Sequence, residues 1–495
     1  MLFHSAAFLF AFLPAVLAGT FALDRLFGRR AAIAWLVAAS FVFYAWAVPA
    51  WALLLGGSVA FNFAVGRRLE GAAPQGGARG VLAFGVAANL ALLGWFKYAG
   101  FFLDNVAWIA GRASPALDVA LPIGISFFTF QNVAYLVDAQ RGRARTYGLL
   151  EYALFIAFFP QLIAGPIVHH EELIPQLRRA DALRPDAARL ATGAAIFVVG
   201  LFKKVVVADR LALFADPGFA AAAASTGGGA DAPLGALAAW GATLAFSLQI
   251  YFDFSGYTDM AIGLGRMFGV ALPDNFLSPY KATSIVDFWR RWHVTLSRFL
   301  RDYVYIPLGG NRHGRPRRYA NLMATMLLGG LWHGASWTFV AWGGLHGALL
   351  VANHGFRRLR RARGWTGTSA PGRALATLAT TLAVVVAWVF FRADSFGTAA
   401  AMLASMAGAH GAGGDAPTFA GAYQALWLAA GFAAVWTLPT SRELIGEASR
   451  PVVHLQLGAR RIGAVPSALA FGVLLFAIVG SSLDAGTQQF IYFQF

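Results

Sequence analysis

Stretches of about twenty apolar residues recur along the whole chain, each long enough to cross the hydrocarbon core of a bilayer as a helix. Inside hydrocarbon every backbone N–H and C=O must be satisfied within the protein, so runs of this kind fold as helices. Of 495 residues, 58% are hydrophobic and 13% charged, with a mean hydropathy of +0.60; soluble domains carry about 25% charged residues. The sequence predicts an all-α polytopic membrane protein, one domain over 1–495, with about eleven to thirteen crossings.

The net charge of +16 does not point to nucleic acid. The arginines lie between apolar runs rather than along one soluble face, and no nucleic-acid-binding motif accompanies them. The preference for basic residues on the cytoplasmic side accounts for them. The N-terminal MLFHSAAFLFAFLPAVLAG lacks a basic start, and Arg25, Arg29 and Arg30 follow it, so it reads as a retained first span. Residues 31–66 suit a hairpin turning near Pro49 and ending at Arg67 and Arg68. Further spans are expected at 80–99, 119–138, 149–168, 190–208 and 234–252, with Arg141, Arg143 and Arg145, then Lys203, Lys204 and Arg210, marking cytoplasmic ends. Later spans fall at 320–335, 337–353, 374–391, 422–439 and 465–481, with a Gly/Ala-rich loop at 407–421. No internal repeat of the transporter kind is evident. With no cysteine, disulfides, thiol catalysis and cysteine-ligated metals are excluded.

Residues 253–310 break the pattern. They hold Asp253, Asp259, Asp274, Asp287 and several arginines with no clean span. At about 2.5–3.5 kcal/mol per charge at the bilayer centre, such a segment needs shelter from lipid, an aqueous cavity or the interface. Together with the two short apolar pieces that follow, it forms a polar, sheltered or re-entrant core segment over 253–353. Its first motif, DFWRRWHVTLSRFLRDYVYIPLGGNRHG, opens on Ser284-x-x-Asp287, a helix-start pattern, with Asp287 and Arg291 at i,i+4. If the helix continues, His293 shares a face with Trp289, Leu296 and Leu300, and the arginines serve another surface. A functional histidine and a buried, hydrogen-bonded structural one are both compatible with this placement.

In the second motif, GGLWHGASWTFVAWGGLHG, His333 follows Gly329 and Gly330 by four and three residues. On a helix its side chain leans over those glycines, where the missing Cβ atoms leave room for a ligand or for a neighbouring helix. An ionisable residue inside a span is a candidate functional residue; close packing through small residues is the other reading. His346, in GGLHGA, reads as a supporting residue. His169, His170, Glu171 and Glu172 have metal-ligand side-chain types, but adjacent histidines point to different sides of a helix, so a polar cap at a span end is expected there rather than a metal site. Neither a phosphate-binding loop spacing nor a G-x-S-x-G elbow accompanies the histidines.

These two motifs resemble the membrane-bound O-acyltransferase family. The resemblance runs along nearly the whole chain: MLFHS at the start, FKY at 96–98, LPIGISFFTFQ at 121–131, FFPQLIAGPI at 158–167, QIYFDFSGYTDMAIG at 249–263 and FIYFQF at the end. It is nearest the bacterial branch typified by alginate O-acetyltransferase, which also holds acetylases of cellulose and peptidoglycan and a D-alanine transferase for teichoic acid. The resemblance implies a helical funnel in the cytoplasmic (inner) membrane. His333 would be its catalytic histidine and His293 the second active position. It also implies an acetyl donor from the cytoplasm, acetyl-CoA, with no permanently bound cofactor or metal, and delivery to an exported polysaccharide through a periplasmic esterase-like partner. In that scheme His333 is the general base and His293 orients the donor carbonyl or the oxyanion, with an acetyl-histidine route as the alternative. The arginines of the first motif and of 312–318 would hold donor phosphates or serve only as topology determinants.

Overall fold

The computed structural model describes residues 1–72, 78–144, 147–226, 233–365, 369–413, 421–446, 455–457, 460–461, 463–484 and 490. Arg145, residues 414–420 of the Gly/Ala-rich loop and all of the terminal FIYFQF motif beyond Phe490 lie outside them. The regular elements among the described residues are helices, apart from a two-residue antiparallel pairing of Gln456–Leu457 with Arg460–Arg461. The chain gathers into two compact units, each assembled from separated stretches. The 253–353 segment is shared between them: 257–274 belongs to the first, the remainder to the second.

The first unit comprises 1–201, 257–274 and 441–475. A π-helical turn Phe8–Phe12 leads into Leu13–Phe27, and Gly28, at φ 81°, turns the chain into Arg29–Ala45. The expected hairpin is completed by Pro49–Ala72, where proline at the first helical position costs no hydrogen bond. Arg79–Leu93 continues through a π turn, Gly94–Tyr98, into Ala99–Ile109, and Ile125–Gln140 follows. The rings of Phe3, Phe8, Phe43 and Phe159 pack at 5.0–6.1 Å in its core. Hydropathy gave no sign of the polar seam beside it. Asn62 and Asn89 exchange amide hydrogen bonds at 2.6 and 3.1 Å, Asn132 donates to Ser58 at 3.1 Å, and the Tyr152 hydroxyl donates to Asn132 at 2.7 Å. Such pairs tie helices together where no water competes.

The expected span at 149–168 is instead two short helices, Leu149–Ala157 and Phe159–Leu162. Phe158 leaves the helical region at ψ 107°, two residues ahead of Pro160, whose ring resists a continued helix. His170 is buried and meets the Tyr147 hydroxyl at 3.0 Å and Asp138 at 3.5 Å, while the backbone N–H of His169 donates to Glu172 in a helix cap. The histidine pair therefore diverges, as its spacing implied.

The second unit comprises 202–256, 275–440 and 476–495. The span expected at 190–208 does not stop at its lysines: Ala187–Thr226 runs as one helical stretch of 40 residues. The Lys204 ammonium is buried and bonded to Asp209 at 2.7 Å and to Asp253 at 2.8 Å, so it does not mark a membrane surface. The same pairing explains why the helix Ala236–Met267 extends far past Tyr251, where hydropathy predicted a break. Gly314–His333 and Trp337–Ala362 form a tight helical pair, followed by Ala370–Arg392, Phe396–Met406 and Gly421–Thr437.

Five described helical stretches are long and apolar enough to cross a bilayer by themselves: Phe8–Phe27, Pro49–Gly71, Arg79–Ile109, Ala187–Thr226 and Ala370–Arg392. The other expected crossings coincide with helices that are shorter or more polar than a lone lipid-facing span, such as Arg29–Ala45 and Gly314–His333.

Candidate active site

Ser284 caps Ile285–Trp289 by accepting from the Asp287 N–H at 3.2 Å, and Arg291 pairs with Asp287 at 3.0 Å, both as the sequence predicts. The helix then ends. His293 lies between Ile285–Trp289 and Val294–Leu300 in the left-handed region, φ 44° and ψ 54°. It does not share a helical face with Trp289, Leu296 and Leu300. The start signal was legible, but the break depends on contacts from a stretch eighteen residues earlier. Val294 N–H donates to the Asn275 carbonyl at 3.0 Å and Leu277 N–H to that of Arg291 at 2.9 Å. These bonds bracket His293 and hold it in a conformation that costs a non-glycine residue about 1–3 kcal/mol.

The His293 side chain is 0% exposed. Its Nδ1 lies 3.0 Å from Asn275 Oδ1, which also accepts from the Thr295 N–H at 3.2 Å and the Thr295 hydroxyl at 2.8 Å. Its ring meets Phe254 edge-on at 4.8 Å and Trp332 at 6.2 Å. Nε2 is buried and makes no hydrogen bond.

His333 ends the helix Gly314–His333 and is 4% exposed. Its ring contacts Trp332 at 4.9 Å, Trp342 at 5.1 Å and Phe391 at 5.2 Å. Trp332 thus touches both candidate histidines. The nearby glycines serve helix packing: a Cβ on Gly330 would strike the Phe339 carbonyl and the Gly343 Cα, and one on Gly343 the Met326 carbonyl. Of the tryptophans on either side of His333 in the sequence, Trp332 is buried, whereas Trp337 is 54% exposed.

His346 supports the same cluster. Its Nδ1 accepts from Trp289 Nε1–H at 3.3 Å, and its ring lies 4.7 Å from Trp342. Trp388 stacks on Trp342 at 5.7 Å and donates to the Tyr280 hydroxyl at 3.2 Å. Several of the arginines are engaged elsewhere: Arg290 and Arg312–Arg317 are exposed, Arg301 pairs with Asp302, and Arg318 donates to His354 at 3.1 Å. The sequence reading did not single out Asn275, Phe391 or Trp388. The two aromatics did not stand out among 71 phenylalanines, tyrosines and tryptophans (43 + 13 + 15).

Residues 81–390, which contain every one of these histidines and their ring partners apart from Phe391, match the membrane-bound O-acyltransferase family. The chain belongs to that family. Among its relatives, the peptidoglycan O-acetyltransferase of Helicobacter pylori is 43% identical over 83% of this chain and 80% of its own. A probable alginate O-acetylase of Pseudomonas aeruginosa is 42% identical over 82% of this chain and 75% of its own. The teichoic acid D-alanyltransferase of Streptococcus thermophilus is 27% identical over 54% of this chain and 66% of its own. This multi-pass membrane acyltransferase therefore carries two buried imidazoles against one tryptophan. An imidazole can take a proton from a hydroxyl or give one to a leaving group, and a dry aromatic setting strengthens any charge interaction formed there.

Proposed function

We propose that this acyltransferase carries acetyl groups from a cytoplasmic thioester, acetyl-CoA, to hydroxyls of an exported polysaccharide such as alginate or a similar polymer. The observation that carries the reading is the pairing of His293 and His333 on Trp332 inside a buried aromatic shell. Identity above 40% to O-acetyl-transferring relatives over most of the chain supports acetyl over D-alanyl as the cargo. The hydroxyl oxygen of the acceptor attacks the thioester carbonyl, the C–S bond breaks, and the hydroxyl proton ends on the departing thiolate. His293 and His333 supply between them the base that takes this proton and the partner of the developing oxyanion. The protein works in the cytoplasmic membrane and hands acetyl to a periplasmic esterase-like partner that completes transfer to the polymer. No resident cofactor or metal takes part in this scheme.

The test is mass spectrometry of surface polysaccharide from cells with and without the gene, alongside uptake of label from acetyl-CoA by purified protein in nanodiscs. Acetyl esters should disappear on deletion and return on complementation. Unchanged acetylation with lost D-alanyl esters would replace acetyl by D-alanyl as the cargo. Loss of export of the unmodified polymer would overturn the enzyme reading of the site.

A further inference from the structure

The polar seam of the first unit also forms one side of an open groove. Pro49–Ala72 and Arg79–Leu93 leave between them a cavity of about 350 Å³, within the roughly 300–1,000 Å³ of small-ligand sites. Leu53, Phe61 and Leu92 wall it, and Ser58, Asn62 and Asn89 supply its polar side. Both helices belong to stretches long and apolar enough to cross a bilayer, and Leu53 is 81% exposed. The groove therefore opens sideways onto hydrocarbon.

The amide hydrogens of this side are saturated. Asn62 Nδ2 donates to the Ser58 carbonyl at 2.9 Å and to Asn89 Oδ1 at 3.1 Å. Asn89 Nδ2 donates to Asn62 Oδ1 at 2.6 Å and to the Gly85 carbonyl at 2.8 Å. Ser58 Oγ accepts from Asn132 Nδ2 at 3.1 Å and, at 3.4 Å, from Asn62, at the end of a relay that starts from the Tyr152 hydroxyl. Its oxygen is thus engaged as an acceptor, and its proton remains to be donated. Thr20, Thr192 and Ser247 give theirs to the carbonyl four residues back. Ser58, 7% exposed, does not, and among the described residues its proton has no acceptor. An unmet O–H beside hydrocarbon is unfavourable, so the groove calls for an acceptor from outside the chain.

Depth narrows what that acceptor can be. Ser58 stands nine residues after Pro49 and nine before Arg67 (58 − 49 and 67 − 58). On a helix this is about 14 Å from each, the middle of a hydrocarbon core about 30 Å thick. The ester carbonyls of glycerolipids lie at the polar boundary of that core, so their chains arrive at Ser58 as bare hydrocarbon. We infer that the groove binds a neutral, bilayer-soluble carbonyl compound of the isoprenoid quinone class. Its carbonyl oxygen accepts from the Ser58 hydroxyl, its flat ring lies against Phe61, and its hydrocarbon tail leaves past Leu53. The ligand is held and not transformed, and the site is independent of the paired histidines.

The experiment uses full-length protein in nanodiscs of a single phospholipid, with decylubiquinone labelled with 13C at a carbonyl as the probe. Wild-type protein should bind it saturably and shift part of the labelled infrared band to lower frequency, the sign of a hydrogen bond. Ser58→Ala should lose that shift and about tenfold in affinity. Leu53→Trp, which fills the mouth and spares the hydroxyl, should abolish saturable binding. Equal uptake by all three proteins, the mark of partition into the bilayer alone, overturns the inference. Binding lost in Leu53→Trp but unchanged in Ser58→Ala also overturns it, because the carbonyl is then not recognised. Displacement of the probe by dioctanoylglycerol would make the occupant a glycerolipid and sink the quinone class. Should Ser58→Ala fail to fold, the absence of a shifted band in wild type, or its persistence in Leu53→Trp, decides against the site.

Discussion

At the scale of single residues the two histidines differ in how much the sequence disclosed. His333 sits at the end of a regular helix, so its placement followed from periodicity, and the glycines three and four residues before it singled it out. His293 did not, because Ser284 and Asp287 announce a helix start and nothing local announces where that helix stops. The stop is written in Asn275 and Leu277, whose backbone bonds close over His293 from a distance in sequence. His333→Ala should abolish acetyl transfer while the protein inserts at normal levels, checked by transfer assay and quantitative immunoblot of membranes. His293→Ala should cost about 10²-fold or more, the usual contribution of a base or oxyanion partner. Less than about tenfold there would make it a structural residue.

At the scale of elements, the Gly314–His333 and Trp337–Ala362 pair is built on glycines whose backbones touch. Gly330→Val would press a side chain into the Phe339 carbonyl and Gly343, atoms that cannot rotate away, with an overpacking cost of about 1–3 kcal/mol or more. A lowered melting temperature in detergent, by fluorescence-detected gel filtration, is expected. Gly355→Ala, which meets nothing within 4 Å on the same pair, should leave it unchanged or raise it. The sequence allowed either a ligand or a helix above these glycines; only the neighbour's position decides. Lys204 is a second case. Reading it as a surface cation was reasonable from its place beside Lys203, yet Asp209 and Asp253 enclose it. Lys204→Met would remove the ammonium from buried Asp253 and half-buried Asp209, at a cost of about 3–5 kcal/mol. Folded yield should fall and recover in the triple variant Lys204→Met, Asp209→Asn, Asp253→Asn.

For the whole molecule, the class of fold was legible because hydrocarbon permits so few solutions to backbone hydrogen bonding. Individual crossings were less so. Proline broke the 149–168 run, and buried ion pairing carried helices through charges that a hydropathy average counts as interruptions. The basic clusters at 312–318 and 357–363 begin and end the same tight helical pair, so the positive-inside preference predicts that both face the cytoplasm. A chain without cysteine permits a direct check. Arg315→Cys and Arg358→Cys should react with a membrane-permeant maleimide in intact cells and resist an impermeant one. Labelling of either by the impermeant reagent would invert the assigned orientation.

The aromatic jacket around His293 and His333 has a consequence for fidelity. An activated acyl group next to a basic nitrogen is consumed by whichever hydroxyl arrives first, and water is the most abundant. With His293 at 0% and His333 at 4% exposure, Phe254, Trp342 and Phe391 would act as a filter against that competitor. The same walls that give the histidines a strong electrostatic setting thus separate a transferase from a hydrolase: thinning them would uncouple donor consumption from product formation before it impaired the chemistry.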